Sequence, residues 1–194
     1  MYSWAPISGD VPHTLDAQRF RKALGSFPTG ICLVSTLSAD GKREGMTVNS
    51  FSSVSLAPPL VLWSIRDDAN SSNVFLTARS FIISVLAAQQ AELAMHFARP
   101  AADKFSAYES CFESGIDGCP RLRESVATYE CTVYSRHQEG DHTIVLGRVV
   151  EFSDSNHQPL LFHAGRMGVS ARTDWTRFTV AKRSLPQRRN PIRQ

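Results

Sequence analysis

Residues 45–65 read GMTVNSFSSVSLAPPLVLWSI and combine small hydroxyl side chains with a proline pair, Pro58 and Pro59. Alternate residues of a strand point to opposite faces, so one face would carry Thr47, Asn49, Phe51, Ser53 and Ser55. Hydroxyl groups and free backbone N–H groups can hold the oxygens of a sugar-alcohol chain and of a phosphate. The pattern therefore predicts a site for a polar, partly aromatic ligand.

A second interpretation of the same stretch stays open at this point. Serine and threonine are common in loops and edge strands, where their hydroxyl groups bond to the nearby backbone. Spacing alone does not distinguish a ligand site from such local hydrogen bonding.

The composition is that of an ordinary globular protein of 194 residues, with 42% apolar and 20% charged residues. No apolar run is long enough to span a membrane, and the N-terminus lacks a basic start followed by an apolar block. The four cysteines form no C-x-x-C pair and are too few for a disulfide scaffold. These features predict a cytoplasmic protein that is not associated with a membrane.

The net charge of +3 arises in the C-terminal tail. Residues 181–194 contain five basic residues and no acidic one: Lys182, Arg183, Arg188, Arg189 and Arg193. Without these five, acidic residues outnumber basic ones by two, and the tail lacks the interleaved aromatic residues of a nucleic-acid-binding face. We therefore predict an N-terminal arm at 1–13, one domain at 14–180, a basic mobile tail at 181–194 and no nucleic-acid partner.

The order of sequence patterns predicts more strands than helices. Helices are expected at 15–26, with Thr14 as a possible N-cap and Leu15, Phe20, Ala23, Leu24 and Phe27 near one face, and at 67–78 and 89–98. Strands are expected at 31–37, 60–65, 80–86, 128–135, 142–152 and 160–163, several of them joined by tight turns. Thr29-Gly30 and 137–141 are expected to be turns. This pattern favours a mainly β barrel or closed sheet with peripheral helices over a parallel sheet.

The common catalytic signatures are absent from the sequence. There is no G-x-G-x-x-G dinucleotide motif, no P-loop and no G-x-S-x-G elbow, and the histidines lack the spacing of a metal site. One histidine, His142, lies in the polar segment Gly140-Asp141-His142. It is either a surface residue at the start of a strand or a donor that points into a cleft and is tuned by Asp141.

Several segments in a fixed order resemble the flavin reductase family, whose members have a split β-barrel of the FMN-binding type. The resemblance covers about residues 19–168. It rests on Thr29-Gly30, 45–55, the strand after Pro58-Pro59, 70–75, 81–86, Gly140-Asp141-His142 and Gly147-Arg148-Val149. These proteins are the reductase components of two-component flavin-dependent monooxygenases. The resemblance implies a homodimer that uses FMN or FAD with NADH or NADPH and passes reduced flavin to a separate oxygenase.

The resemblance also implies roles for individual residues. Flavin contacts are implied for Pro28, Thr29, Gly30, Thr47, Val48, Asn49, Ser50, Ser53, Ser64 and Ile65. The start of a helix at Asn70, Ser71 and Ser72 would receive the phosphate, because free N–H groups and the helix dipole favour an anion there. His142 would lie on the nicotinamide side, and no metal is implied. Two positions depart from the family pattern: Met167 stands in place of an aromatic residue and Ser84 in place of asparagine.

The implied reaction is transfer of a hydride from C4 of the nicotinamide to N5 of the flavin. The cofactors supply the difficult chemistry, so the protein needs to stack and align two rings without a strong acid or base. Three alternatives remain. They are a flavin-binding electron carrier without nicotinamide turnover, an oxidase of the pyridoxamine-phosphate type, and a non-enzymatic dimerising module. An oxidase of the pyridoxamine-phosphate type would require basic residues to bind the substrate phosphate, and residues 45–65 contain none.

Overall fold

Antiparallel strands make up most of the fold in the computed structural model, which describes residues 15–101 and 103–170. The α-helices in these ranges are α1 (Ala17–Leu24), α2 (Ser72–Thr77) and α3 (Ala91–Phe97), and short 3-10 helices lie at Ala88–Gln90, Ser106–Cys111 and Ile116–Gly118. The strands are β1 (Thr29–Gly30), β2 (Cys32–Leu37), β3 (Arg43–Val48), β4 (Ser52–Leu56), β5 (Pro59–Arg66), β6 (Ser80–Val85), β7 (Phe112–Ser114), β8 (Pro120–Leu122), β9 (Ala127–Glu139), β10 (His142–Asp154), β11 (Leu161–His163) and β12 (Arg166–Gly168).

The main sheet has seven antiparallel strands in the order β3-β2-β6-β9-β10-β5-β4. Its centre is the long hairpin of β9 and β10, which pairs with β6 near one end and with β5 near the other. The connection from β3 to β4 contacts β5, where Ser50 Oγ accepts a hydrogen bond from Ser64 N (3.0 Å) and donates one to Ser64 O (3.1 Å). The edge strands β3 and β4 do not pair with each other, so the sheet is not closed into a full barrel. This confirms the predicted split barrel.

The barrel interior is filled by large apolar side chains. Trp63 lies at its centre, with the rings of Phe75 and Phe81 packed edge-on at centroid distances of 5.1 and 6.0 Å. Phe75 belongs to α2 and is 2% exposed, so this short helix is anchored to the barrel by one aromatic side chain. Burial of such a ring is worth a few kcal/mol.

A second apolar core joins α3 to the outside of β2. It contains Leu33, Phe97, Phe105 and Phe112, with the ring of Phe97 5.1 Å from that of Phe105. Gly45 of β3 lies against this cluster, and a Cβ placed there would be 2.9 Å from the Phe97 ring. The glycine therefore permits the close packing of α3 on β3.

Helix α1 differs in part from its prediction. It begins at Ala17, after Asp16 accepts hydrogen bonds from the N–H groups of Gln18 and Arg19. The suggested cap Thr14, the arm 1–13 and the tail 181–194 lie outside the described residues. The helix contains no buried residue, and Phe20 and Leu24 are both more than half exposed. Its apolar face is therefore uncovered in the single chain.

Four predictions about local structure were wrong. The hydroxyl-rich stretch is two strands, β3 and β4, because the chain breaks where Ser50 bonds to Ser64. Thr29-Gly30 is a short strand, and β9 extends to Glu139, so the following turn is tight. Helix α2 begins at Ser72 because Asp67 instead accepts a hydrogen bond from Thr143 Oγ1 (2.7 Å). No helix in the described residues is long and apolar enough to cross a membrane.

Candidate functional site

A groove of about 200 Å³ opens beside the end of β3 and is called here the strand groove. Its lining residues are Ile31, Thr47, Val48, Asn49, Ala98, Phe162 and Met167. Three of these, Thr47, Val48 and Asn49, were predicted from the sequence. The groove therefore brings the central part of the hydroxyl-rich stretch against residues from three other segments of the chain.

The floor of the strand groove is held by hydrogen bonds between β3 and the α3 region. Thr47 Oγ1 donates to the carbonyl oxygen of Ala94 on α3 at 2.7 Å. Lys104 is 9% exposed, and its Nζ donates to the carbonyl oxygens of Gly45 and Phe97 at 3.0 and 3.2 Å. Burial lowers the pKa of the Lys104 ammonium group. These bonds keep β3 and α3 in a single relative position.

The strand β1 brings a second predicted segment next to β11, which contributes Phe162 to the wall of the strand groove. It pairs with β11, so that Thr29 lies opposite Phe162 and Gly30 opposite Leu161. Pro28 precedes β1 and is exposed, and a Cβ on Gly30 would meet no atom within 4 Å. Thr29 Oγ1 is buried and has no hydrogen-bond partner among the described residues. An orphaned hydroxyl in this position suits a ligand with a polar edge, as the isoalloxazine ring of a flavin has.

The hydroxyl-rich stretch contains side chains that are used in protein hydrogen bonds and others that are not. The side chains of Thr47 and Ser50 are already used in protein hydrogen bonds, and Ser52 Oγ donates to the carbonyl oxygen of Ser53. Asn49 and Ser53 are exposed, and their side chains make no hydrogen bond to the described residues. Ser53 lies on β4 opposite Val61 and does not line the strand groove.

The predicted residues of β5 and of the start of α2 form a second group outside the strand groove. Asn49 and Ser50 connect this group to the groove, since Ser50 Oγ bonds to Ser64. The side chain of Ile65 is 1% exposed and points into the barrel core, so only its backbone is available to a ligand. Asn70 is exposed, and Ser71 Oγ lies 3.9 Å from the sulfur of Met46. The backbone N–H groups of Asn70 and Ser71 donate to none of the described residues.

His142 lies at the start of β10 and lines neither the strand groove nor the larger groove described below. Its side chain is 41% exposed, and Nδ1 lies 2.7 Å from Asp141 Oδ1. This hydrogen bond lowers the pKa of the Asp141 carboxyl group. His142 is opposite Arg66 on β5, two residues from the Ser64 backbone, or about 7 Å along the strand. The single chain thus does not place His142 against the strand groove.

A larger groove of about 750 Å³ shares Phe162 and Met167 with the strand groove and is called here the helix groove. Its other walls include Glu92, Met95, His96, Arg99 and Tyr108. The sequence analysis did not identify these residues, nor Phe162 and Ala98 of the strand groove. They lie in ordinary helix and strand patterns, so only the pairing of β11 with β1 and the docking of α3 reveal them.

Volume alone does not identify the site. A cavity of about 510 Å³ near the end of β2 and the start of β6 is lined by Leu37, Thr77 and Asp117 among others, and it contains none of the predicted residues. The described residues contain no group of three or more His, Cys, Asp or Glu side chains arranged to hold a metal ion.

Comparison with known proteins supports a single family. Residues 24–170 match the model of the flavin reductase like domain. The FMN reductase (NADH) SmoA of Agrobacterium fabrum is 38% identical over 163 residues, which cover 84% of this chain and 91% of that protein. The reductase component of the flavin-dependent trigonelline monooxygenase of Acinetobacter baylyi is 34% identical over 163 residues. The chain spans about half the length of several curated relatives, including this reductase component at 50%.

The structure of the NADH:FAD oxidoreductase SgcE6 of Streptomyces globisporus, in complex with NAD and FAD fragments, is also similar to this chain. The TM-score is 0.76 at 35% identity, and the match covers 82% of this chain and 96% of the other. The family match covers more than half of the chain, and the fold and the strand groove agree with it. The chain therefore belongs to the flavin reductase family.

Proposed function

We propose that the chain is an NAD(P)H-dependent flavin reductase, which transfers a hydride from NADH or NADPH to FMN or FAD. The observation that carries this proposal is the strand groove, where Thr47, Val48 and Asn49 lie near Phe162. Phe162 is paired with Thr29, whose hydroxyl group has no hydrogen-bond partner in the described part of the chain. Three relatives are named for NADH, so NADH is the first donor to test.

The residues of the groove would bind and orient the reacting rings. Phe162 and Met167 supply apolar contact for a planar ring, and Thr29 Oγ1 supplies a hydrogen bond to its polar edge. A bound flavin supplies N5 as the acceptor for the hydride from C4 of the nicotinamide. Since the rings carry the chemistry, the contribution of this chain is alignment and exclusion of water.

The flavin phosphate is proposed to bind at Asn70, Ser71 and Ser72. The unused N–H groups of Asn70 and Ser71 and the exposed amide of Asn70 support this assignment, because adjacent backbone donors form anion sites. Ser50, Ser64 and Ile65 would contribute through the backbone where the connection from β3 to β4 contacts β5, and Ser53 through its exposed hydroxyl.

The test is to mix the purified protein anaerobically with each pair of FMN or FAD and NADH or NADPH. Flavin bleaching and nicotinamide absorbance are followed together, with the protein omitted as a control. Rapid bleaching with one pair supports the reductase and identifies both cofactors. Flavin binding without bleaching in any pair would contradict it and indicate a flavin-binding electron carrier.

His142 is proposed to position the nicotinamide. We expect His142→Ala to lower the rate constant of flavin reduction by about tenfold, because the donor ring loses one of its contacts. The pKa of the Asp141 carboxyl group should rise towards its ordinary value in the same variant. In the native protein the Asp141–His142 pair is complete above the lowered pKa of Asp141 and is lost as the pH falls through it.

Stopped-flow reduction and NMR titration of the Asp141 carboxyl group measure these two effects separately. His157→Ala is the control, since His157 is exposed and lines neither groove. An unchanged reduction rate in His142→Ala, together with a raised pKa of Asp141, would show that the pair forms but does not serve the nicotinamide.

A homodimer and an oxygenase partner complete the proposal. The edge strand β4 exposes Leu56 (95%) and Val54, and apolar edge strands in stable proteins are usually covered. A second copy of this chain is the proposed cover.

A reductase component of a monooxygenase among the relatives supports transfer of reduced flavin to a separate oxygenase. All four cysteines are free thiols, which supports a cytoplasmic location.

Leu56→Glu is expected to weaken the homodimer by roughly a hundredfold, because a buried unpaired carboxylate costs several kcal/mol. Analytical ultracentrifugation over a range of concentrations measures the change. Phe20→Glu on α1 is the comparison variant, and its dissociation constant should match that of the native protein. A native chain that is monomeric at all concentrations would refute the dimer. If Phe20→Glu dissociates the dimer and Leu56→Glu does not, the interface lies at α1 and not at β4.

A further inference from the structure

One side chain lines three adjoining cavities. Met167 of β12 borders the strand groove, the helix groove and a third cavity of about 510 Å³ along β11 and β12, whose lining includes His163, Arg166 and Val169. The side chain of Met167 is half-buried. A small molecule that enters any of these three cavities therefore meets its thioether group.

Strand pairing places Met167 in one row with the groups that are proposed to hold the flavin ring. In the sheet β1-β11-β12, Thr29 lies opposite Phe162, and Phe162 lies opposite Met167. Side chains of directly opposed residues share a face of the sheet and are about 5 Å apart, so Met167 lies about 10 Å from Thr29 across the row. A planar ring bound by Phe162 and Thr29 would therefore lie against the thioether.

The proposed reaction supplies an oxidant at this place. When reduced flavin meets O2, two electrons and two protons pass to O2 and give hydrogen peroxide. A thioether sulfur takes one oxygen atom from peroxide. An S–O bond forms, the O–O bond breaks and water leaves, so methionine is oxidised by two electrons and peroxide is reduced to water.

The cysteines are less suited than this methionine to react with peroxide. The thiolate is the reactive form of cysteine, and burial raises the pKa of Cys32 and Cys131 to about 12. Burial also raises the pKa of Cys119. Cys111 is half-buried and lines none of the three cavities that Met167 borders.

Two other methionines lie in the described residues. Met46 packs against the barrel core, and its sulfur lies 3.9 Å from Ser71 Oγ. Met95 is exposed and lines the helix groove but not the strand groove. Of the described methionines, Met167 thus combines access from three cavities with a place in the strand groove.

We propose that Met167 is a modification site, which hydrogen peroxide formed from reduced flavin oxidises to the sulfoxide, and that the sulfoxide weakens flavin binding. The sulfoxide replaces a flexible apolar contact with a polar group that loses its water when a ring covers it. Flavin reduction that outruns the use of reduced flavin then lowers the affinity of the strand groove, until a methionine sulfoxide reductase restores the thioether. This inference rests on the proposed reductase function.

The first experiment uses the full chain without turnover. The native protein, Met167→Leu and the control Met95→Leu are treated with dilute hydrogen peroxide, quenched and titrated with FMN by fluorescence, each against its own untreated sample. Peptide mass spectrometry locates each added oxygen atom. We expect sulfoxide at Met167 and a dissociation constant raised about tenfold in the native protein and in Met95→Leu, with no rise in Met167→Leu.

Three results of this titration would overturn the proposal. They are a rise of the same size in Met167→Leu, an unchanged dissociation constant once Met167 carries the oxygen atom, and peroxide treatment that oxidises Met95 but leaves Met167 intact. Treatment of the oxidised native protein with methionine sulfoxide reductase should return the dissociation constant to its untreated value.

The second experiment tests the source of the peroxide. The native protein is incubated with NADH and FMN in air, with an anaerobic sample as the control. Oxidation of Met167 relative to the exposed Met95 should be higher in the aerated sample than with added peroxide, because the peroxide forms beside Met167. An equal ratio would overturn formation in the groove. If no flavin is reduced, the reductase function and this source of peroxide both fail, whereas the result of the first experiment stands.

Discussion

Gly147→Ala is expected to lower the free energy of unfolding by about 3 kcal/mol, because it overpacks the barrel core. A Cβ at Gly147 would lie 2.4 Å from Cζ of Phe81 and 2.9 Å from Cβ of Cys131. Phe81 is 1% exposed and its ring is packed against Trp63, so it has little room to move away. Urea denaturation followed by tryptophan fluorescence measures the change.

Gly168→Ala on β12 is the matched control, because a Cβ there would meet no atom within 4 Å. Its midpoint of unfolding should stay close to that of the native protein. If the two variants unfold at the same urea concentration, the close contact between β10 and Phe81 does not limit the packing of the barrel.

Phe75→Ala is expected to cost about 4 kcal/mol, because it removes the aromatic side chain that anchors α2 to the barrel. The ring of Phe75 is 2% exposed and lies 5.1 Å from that of Trp63. Phe75→Leu keeps most of the volume and should cost less than half as much. The same urea denaturation measures both variants.

The anchoring of α2 also affects the proposed phosphate site, since Asn70 and Ser71 immediately precede this helix. Under conditions where the variant is folded, Phe75→Ala should weaken the binding of FMN more than the binding of riboflavin, because riboflavin lacks the phosphate. Equal losses for the two flavins would contradict a phosphate site at the start of α2. A fluorescence titration with each flavin gives the comparison.

Local patterns predicted most strands because each strand carries its own signal of apolar residues and turn residues. The strands β2, β5, β6 and β11 appear within one residue or so of their predicted bounds. The turn around Gly41, which has a φ of 81°, contains an Asp-Gly pair, and such pairs favour this kind of turn. The family resemblance then predicted the split barrel and one segment that lines the strand groove, residues 47–49.

Those local patterns did not predict contacts between segments that are distant in the chain. The break after β3 depends on Ser50 meeting Ser64, and the short strand β1 depends on pairing with β11. Helix α1 shows the same limit, since its apolar face was visible in the sequence but its exposure was not.

The amino-acid sequence by itself determined the class of fold, the family and the stretch around Thr47, Val48 and Asn49, because these depend on residue type and order. Only the tertiary structure decided which hydroxyl groups are free, with Thr47 bonded to α3 and Thr29 left without a partner among the described residues. It also placed Phe162 and Met167 between two grooves. The physical reason is that hydrogen-bond partners and cavity walls come from residues far apart in the chain, whose meeting is set by the packing of the whole barrel.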